Sequence, residues 1–166
     1  MFFYFGNLSL VTDELWLAAC KGNHMHVVEL ILRGDNPVGK ESRRMCTPLH
    51  VACMMGHIET VLVLLHAHEM VSHWRNASEQ GNMAGLIDVV GQTTSSRGRH
   101  TMNSVPRQIQ NLISQEDKDG KTPIYYACGG LLPRVVQLLI SYGADLSSLP
   151  GVVRTSFCRS TALHIP

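Results

Sequence analysis

The sequence predicts an all-α solenoid: short helix-turn-helix units stacked side by side, with turns projecting along one edge. Three observations carry that prediction. Residues 47–65 and 117–145 follow one pattern in phase, and residues 13–32 follow it more loosely. Each unit holds two short stretches whose apolar residues recur at helical spacing, separated by a turn. A unit this small cannot bury its apolar side alone, so a periodic chain of such units must stack to make a core.

Composition narrows the function classes. The chain has 166 residues, 45% of them hydrophobic and only 16% charged, and 14 Lys and Arg stand against 13 Asp and Glu for a net charge of +1. Enough apolar side chain is present for a core. A polybasic nucleic-acid binder is excluded, because phosphate binding needs clustered excess cations. A highly charged disordered tail is excluded too. No run of about 18 uninterrupted apolar residues exists, so no membrane span is expected. The cysteines Cys20, Cys46, Cys53, Cys128 and Cys158 are odd in number and sparse for a disulfide scaffold, which points to reduced thiols in an intracellular protein.

Along the chain, residues 1–11 are apolar but short, with neither a basic leader nor a small-residue cleavage pattern. They read as an apolar lead-in to the first helix or as a non-native start. Acceptor patterns for N-glycosylation at Asn7 and Asn76 carry meaning only in the secretory pathway. The first unit contains Leu15, Ala18 and Ala19, then Gly22-Asn23, then Val27, Val28, Leu30 and Ile31. The second is the clearest. Thr47 offers a hydroxyl cap and Pro48 suits a first helical position. Leu49, Ala52 and Cys53 face the stack, Gly56 ends the helix, and Val61, Leu64 and Leu65 form the next buried stripe.

These residues resemble ankyrin repeats. The family pattern is a turn, T-P-L-H-x-A, a short helix, G-H, and a second helix ending in L-L-x-x-G-A-D. Thr47-Pro48-Leu49-His50, Gly56-His57 and Leu64-Leu65 match it. So do Thr122-Pro123, Ala127 and Leu138-Leu139 through Gly143-Ala144-Asp145. The resemblance covers residues 12–68 as two repeats and 116–146 as another. The first repeat lacks the tetrad and is similar to the opening unit of such arrays.

Three stretches depart from the pattern. Thr122 lies 75 residues beyond Thr47, whereas one repeat takes about 33. Residues 69–115 are therefore either a degenerate repeat or a partly disordered insertion. Within them residues 85–90 look like the start of a second helix, residues 91–99 read as loop, and residues 104–113 form a short helix with Val105, Ile109, Leu112 and Ile113 on one side. In the last full repeat Leu131-Leu132 stands where Gly-His belongs, so the turn between its helices is expected to shift or loosen. Residues 147–166 serve as a linker and the start of a further repeat at Thr161-Ala162-Leu163-His164, which suggests a fragment, a truncated isoform or an incomplete gene model.

Candidate chemistry is thin. Cys46, His50, Cys53 and His57 form a string of potential zinc ligands, but the resemblance gives His50 and His57 structural roles and Cys53 a buried helix position. His66, His68 and His73 near Trp74 offer a surface metal site or pH-sensitive patch, with a solvated helix end as the plainer reading. Tyr125-Tyr126 replaces the usual His-x pair, removing a structural hydrogen bonder. No phosphate-binding, dinucleotide or nucleophile-elbow motif is present, and no cofactor or metal is expected.

The resemblance implies a non-catalytic module that binds another protein, of unspecified identity, through a concave face and turn fingers. The positions concerned are Lys21, Arg43, Arg44, Cys46, Met54, Met55, Lys118, Asp119 and Lys121. Adjacent exposed Met54 and Met55 would make an adaptable apolar centre ringed by charge. The competing expectation is a regulatory or targeting array belonging to a larger enzyme or ubiquitin-ligase adaptor.

Overall fold

The computed structural model describes residues 14–41, 43–67, 69–72, 106–147 and 149–151. The lead-in, both glycosylation patterns, residues 85–99, His68, His73, Trp74, Cys158 and the repeat begun at Thr161 lie outside them. Among the described residues the helices with both ends defined are, in order, α1 (Glu14–Lys21), α2 (His24–Arg33), α3 (Pro48–Met55), α4 (Ile58–Leu65), α5 (Arg107–Ile113), α6 (Pro123–Gly129) and α7 (Pro133–Ser141). Among the described residues there is no strand.

The helices form three hairpins, α1/α2, α3/α4 and α6/α7, arranged in two layers. The first helices stack as α1–α3–α6 and the second helices as α2–α4–α7. Small buried residues at one register, Ala18, Ala52 and Ala127, let the first helices approach closely. Between the layers lie Leu15, Leu30, Leu49, Leu64, Ile124 and Leu139, all essentially inaccessible to solvent. Burying an aliphatic side chain of this size contributes roughly 1.5–3 kcal/mol, so the seam between units is where stability accumulates.

α3 packs directly on α6 although 75 residues separate Thr47 from Thr122. No other first helix stands between them among the described residues. α5 forms where the sequence places a short helix, and Ile109, Leu112 and Ile113 are buried in the common core.

Capping explains where the helices begin. Thr47 accepts from the His50 amide, while His50 Nδ1 accepts from the Thr47 amide at 3.1 Å, a reciprocal box before Pro48. Asn23 caps α2 by accepting from the His26 amide at 3.2 Å. The turn inside each hairpin has one design. The amide five residues on closes back on the first helix as Asn23 to Ala18, His57 to Ala52 and Leu132 to Ala127, at 3.1, 3.0 and 3.1 Å.

The residue before each of those amides takes a left-handed conformation: Gly22 at φ 71, Gly56 at φ 78 and Leu131 at φ 54. The expectation that the Leu131-Leu132 turn shifts or loosens is therefore corrected. The turn keeps its register because its two closing hydrogen bonds come from backbone, and Leu131 adopts the backbone angle that glycine adopts elsewhere.

Candidate protein-binding face

Two projecting turns, or fingers, dominate one edge: residues 34–46 ahead of α3 and residues 114–121 ahead of α6. Aligned on Thr47 and Thr122, Arg43 matches Lys118, Arg44 matches Asp119, Met45 matches Gly120, and Cys46 matches Lys121. The fingers pair directly. The Lys118 amide donates to the Arg44 carbonyl at 3.1 Å, and the Lys40 ammonium donates to the Glu116 carbonyl at 2.8 Å. His50 Nε2 donates to the Lys121 carbonyl at 3.1 Å. A carbonyl only accepts, so the His50 proton sits on Nε2 and Nδ1 is left to serve the Thr47 cap. Burial pushes the His50 pKa down, which keeps the ring neutral for both tasks.

Asp117 is the hub of the second finger. Its Oδ1 accepts from the Asp119 and Lys121 amides at 2.8 and 2.9 Å, and its Oδ2 accepts from the Tyr126 hydroxyl. Burial opposes its charge, but these hydrogen bonds outweigh burial and hold the carboxyl below its ordinary value. Tyr126 therefore supplies a tie of its own, one position along from where the family histidine would stand. Its ring packs edge-on against His50 and Tyr125. Tyr125 lies beneath the Lys121 ammonium, 5.2 Å from the ring centroid.

The sequence-predicted residues fall into two groups. Lys21, Arg43, Arg44, Met55, Lys118 and Asp119 are exposed, and Lys121 is half-exposed with its ammonium 3.6 Å from Asp119. Lys21 and Met55 share a register at the ends of the stacked helices α1 and α3. Two assignments are corrected. Met54 is half-buried against the core. Consecutive residues on a helix point about 100° apart, so Met54 and Met55 do not both face outward. Cys46 is only 4% exposed; its thiol lies 3.8 Å from the Arg44 carbonyl and 4.0 Å from Asp117 Oδ2. Burial, with the Asp117 charge beside it, pushes its pKa up to about 11. It braces the finger from inside.

Sequence reasoning missed Met45, which is 44% exposed on the first finger at φ 56. Its match to Gly120 was the available signal. The four candidate zinc ligands disperse: His50 spans the fingers, Cys53 is fully buried with its pKa raised by burial, Cys46 faces Asp117, and His57 Nε2 donates to the Cys20 carbonyl at 3.1 Å. Among the described residues no group of three His, Cys, Asp or Glu is placed to hold a metal ion. The solvated-end reading of the later histidines is corrected at His66. It is buried, with Nδ1 2.9 Å from Glu69 and Nε2 2.6 Å from the Tyr142 hydroxyl, because α4 and α7 meet there.

Stacked hairpins joined seam to seam, with paired fingers on one edge, define a helical repeat solenoid. A family model described as ankyrin repeats (3 copies) matches residues 13–77, and one described as ankyrin repeat matches residues 119–149; together they span more than half the chain. The protein belongs to the ankyrin repeat family. It is 32% identical over 107 residues to the putative ankyrin repeat protein FPV223 of fowlpox virus (strain NVSL), covering 63% of this chain and 67% of that one. A chain in the crystal structure of the yeast ribosomal protein Rps3 in complex with its chaperone Yar1 is similar in fold, with a TM-score of 0.55 at 21% identity. That likeness covers 93% of this chain and 95% of that chain. Among the described residues no helix is long and apolar enough to cross a membrane.

Proposed function

We propose that the protein is a non-catalytic recognition module that binds another protein through its finger tips and the exposed ends of its first helices. Ankyrin repeats are in general protein-protein interaction modules, and this chain has their stacked form. The observation that carries the reading is the direct α1–α3–α6 stack with its hydrogen-bonded fingers. It is a rigid frame presenting side chains the core does not use: Lys21 and Met55 in one row, Arg43 and Lys118 in another.

The thiols support a non-catalytic role. Cys20, Cys46, Cys53 and Cys128 are buried thiols outside any disulfide. Burial raises the first three above the ordinary thiol value, which suppresses the nucleophilic thiolate. Such thiols also fit a reducing, intracellular compartment.

The test uses the full chain as bait in a cell lysate, with quantitative mass spectrometry of captured proteins. Wild type is compared with Arg43→Glu/Met55→Ala on the proposed face and with Gln137→Glu, exposed on α7. The expected result is a partner lost with the first variant and retained with the second. A partner retained by both would place recognition elsewhere.

A further inference from the structure

Met45 occupies a position that its own backbone disfavours. At φ 56 its side chain crowds the backbone, whereas Gly120, its register mate in the next finger, sits at φ 71 without a Cβ. The side chain is 44% exposed, so packing within the finger does not compensate. The Met45 amide, donating to the Glu41 carbonyl at 2.8 Å, holds the strained turn and leaves the thioether on the outside of the finger, available for contact.

The surroundings say what it is used with. Arg43 and Arg44 precede it in the chain, and Lys118 lies across on the paired finger, its amide bonded to the Arg44 carbonyl. Most finger carboxylates are turned to internal work. Glu41 accepts from the Arg43 and Arg44 amides at 2.9 and 2.8 Å. Asp117 is buried, Asp119 sits beside the Lys121 ammonium, and Glu116 remains exposed at the base of the finger. Among the described residues neither Arg43 nor Lys118 forms a salt bridge. The tip therefore presents a flexible thioether between a guanidinium and an ammonium group.

We propose that the partner segment received here is acidic, with an apolar residue flanked by carboxylates: the carboxylates meet Arg43 and Lys118, and the apolar side chain packs on Met45. This rests on the reading of the fingers as a protein-binding face and names the chemistry of what they bind. Nucleic acid would use the same cations. However, a net charge of +1 is far from the cation excess phosphate binding needs, and methionine offers no aromatic platform for bases.

The experiment pans a random peptide display library on the full-length chain, then titrates the enriched peptide by fluorescence anisotropy. Enrichment of Asp or Glu beside Leu, Ile, Phe or Met is expected. Arg43→Glu/Lys118→Glu should weaken that peptide at least about tenfold, and Met45→Gly, which relieves the backbone, should weaken it several-fold while the thermal melt stays cooperative. Arg43→Gln/Lys118→Gln serves if charge reversal disturbs folding. Neutral or basic peptides that still lose binding on Arg43→Gln or Met55→Ala would overturn the acidic assignment and leave the face intact. Peptides insensitive to all these substitutions, or no enriched peptide, would overturn both. Displacement of the peptide by single-stranded DNA at equal affinity would overturn the assignment in favour of nucleic acid.

Discussion

Three residues are at odds with their own surroundings, and each gives a prediction. Met45 and Leu131 are exposed and left-handed. The left-handed region costs a side chain roughly 1–2 kcal/mol, and glycine returns about 0.5–1 kcal/mol of that as unfolded-chain entropy. Met45→Gly and Leu131→Gly should each raise stability by about 0.5 kcal/mol in urea denaturation; a loss would mean the side chains pack usefully after all. Thr60 is fully buried, and its hydroxyl has no hydrogen-bond partner among the described residues. Thr60→Val keeps the shape and removes the orphan, so a gain of about 1 kcal/mol is expected from the same measurement.

Two buried residues contribute to the acid limb. His50 is held below its ordinary value of 6.5, so it binds its proton more readily unfolded. Its contribution is complete above pH 6.5 and declines as pH falls from there towards the folded value. Asp117 is held below 3.8, so its contribution is complete above that pH and is lost as pH falls through the lower folded value. Urea midpoints against pH should show both declines in the wild type. Asp117→Asn should keep the upper decline, reduce the lower one, and be less stable at pH 7 by about 1–3 kcal/mol.

At the scale of elements, the turns of the first two hairpins are each covered by the residue that caps the start of the next hairpin's second helix. The His57 ring lies over Gly22, where a Cβ would come within 2.6 Å of it, and its Nε2 holds the Cys20 carbonyl at the end of α1. Leu132 lies over Gly56 in the same way, at 3.1 Å, but offers packing without a hydrogen bond. Gly22→Ala should therefore cost more than about 2 kcal/mol, from the clash together with φ 71. His57→Ala should relieve the clash and leave the backbone strain. A double-mutant cycle by thermal unfolding is expected to show coupling of about 1 kcal/mol or more; strict additivity would mean the ring can move aside.

At the scale of the molecule, the second-helix layer has its own fastening. His66 at the end of α4 and Tyr142 at the end of α7, 76 residues apart, share a buried hydrogen bond, and Glu69 accepts from the other face of the His66 ring. Tyr142→Phe leaves the His66 nitrogen without its partner and should cost about 1–3 kcal/mol. Loss of that bond falls on the contact between α4 and α7, so hydrogen exchange should rise most in α6 and α7. Uniform exchange across all units would mean the solenoid opens as one body.

The sequence by itself determined the units. Thr47-Pro48, Gly22, Gly56 and the Leu64-Leu65 and Leu138-Leu139 stripes act within a few residues of themselves, through capping, backbone freedom and helical period, so their effect is readable locally. It also located α5 from Ile109, Leu112 and Ile113. It did not determine which units are neighbours. Only the tertiary structure joins α3 to α6 and aligns the two fingers, because such contacts span many tens of residues and leave no local pattern. For the same reason Cys46 and Met54 look like surface positions in the sequence, although the fold buries the thiol between fingers and turns Met54 to the core. His66 likewise looks like a loose helix end until Tyr142 arrives. Met45 was half legible: its register against Gly120 is in the sequence, but its exposure beside Arg43 and Lys118 is a property of the assembled pair of fingers.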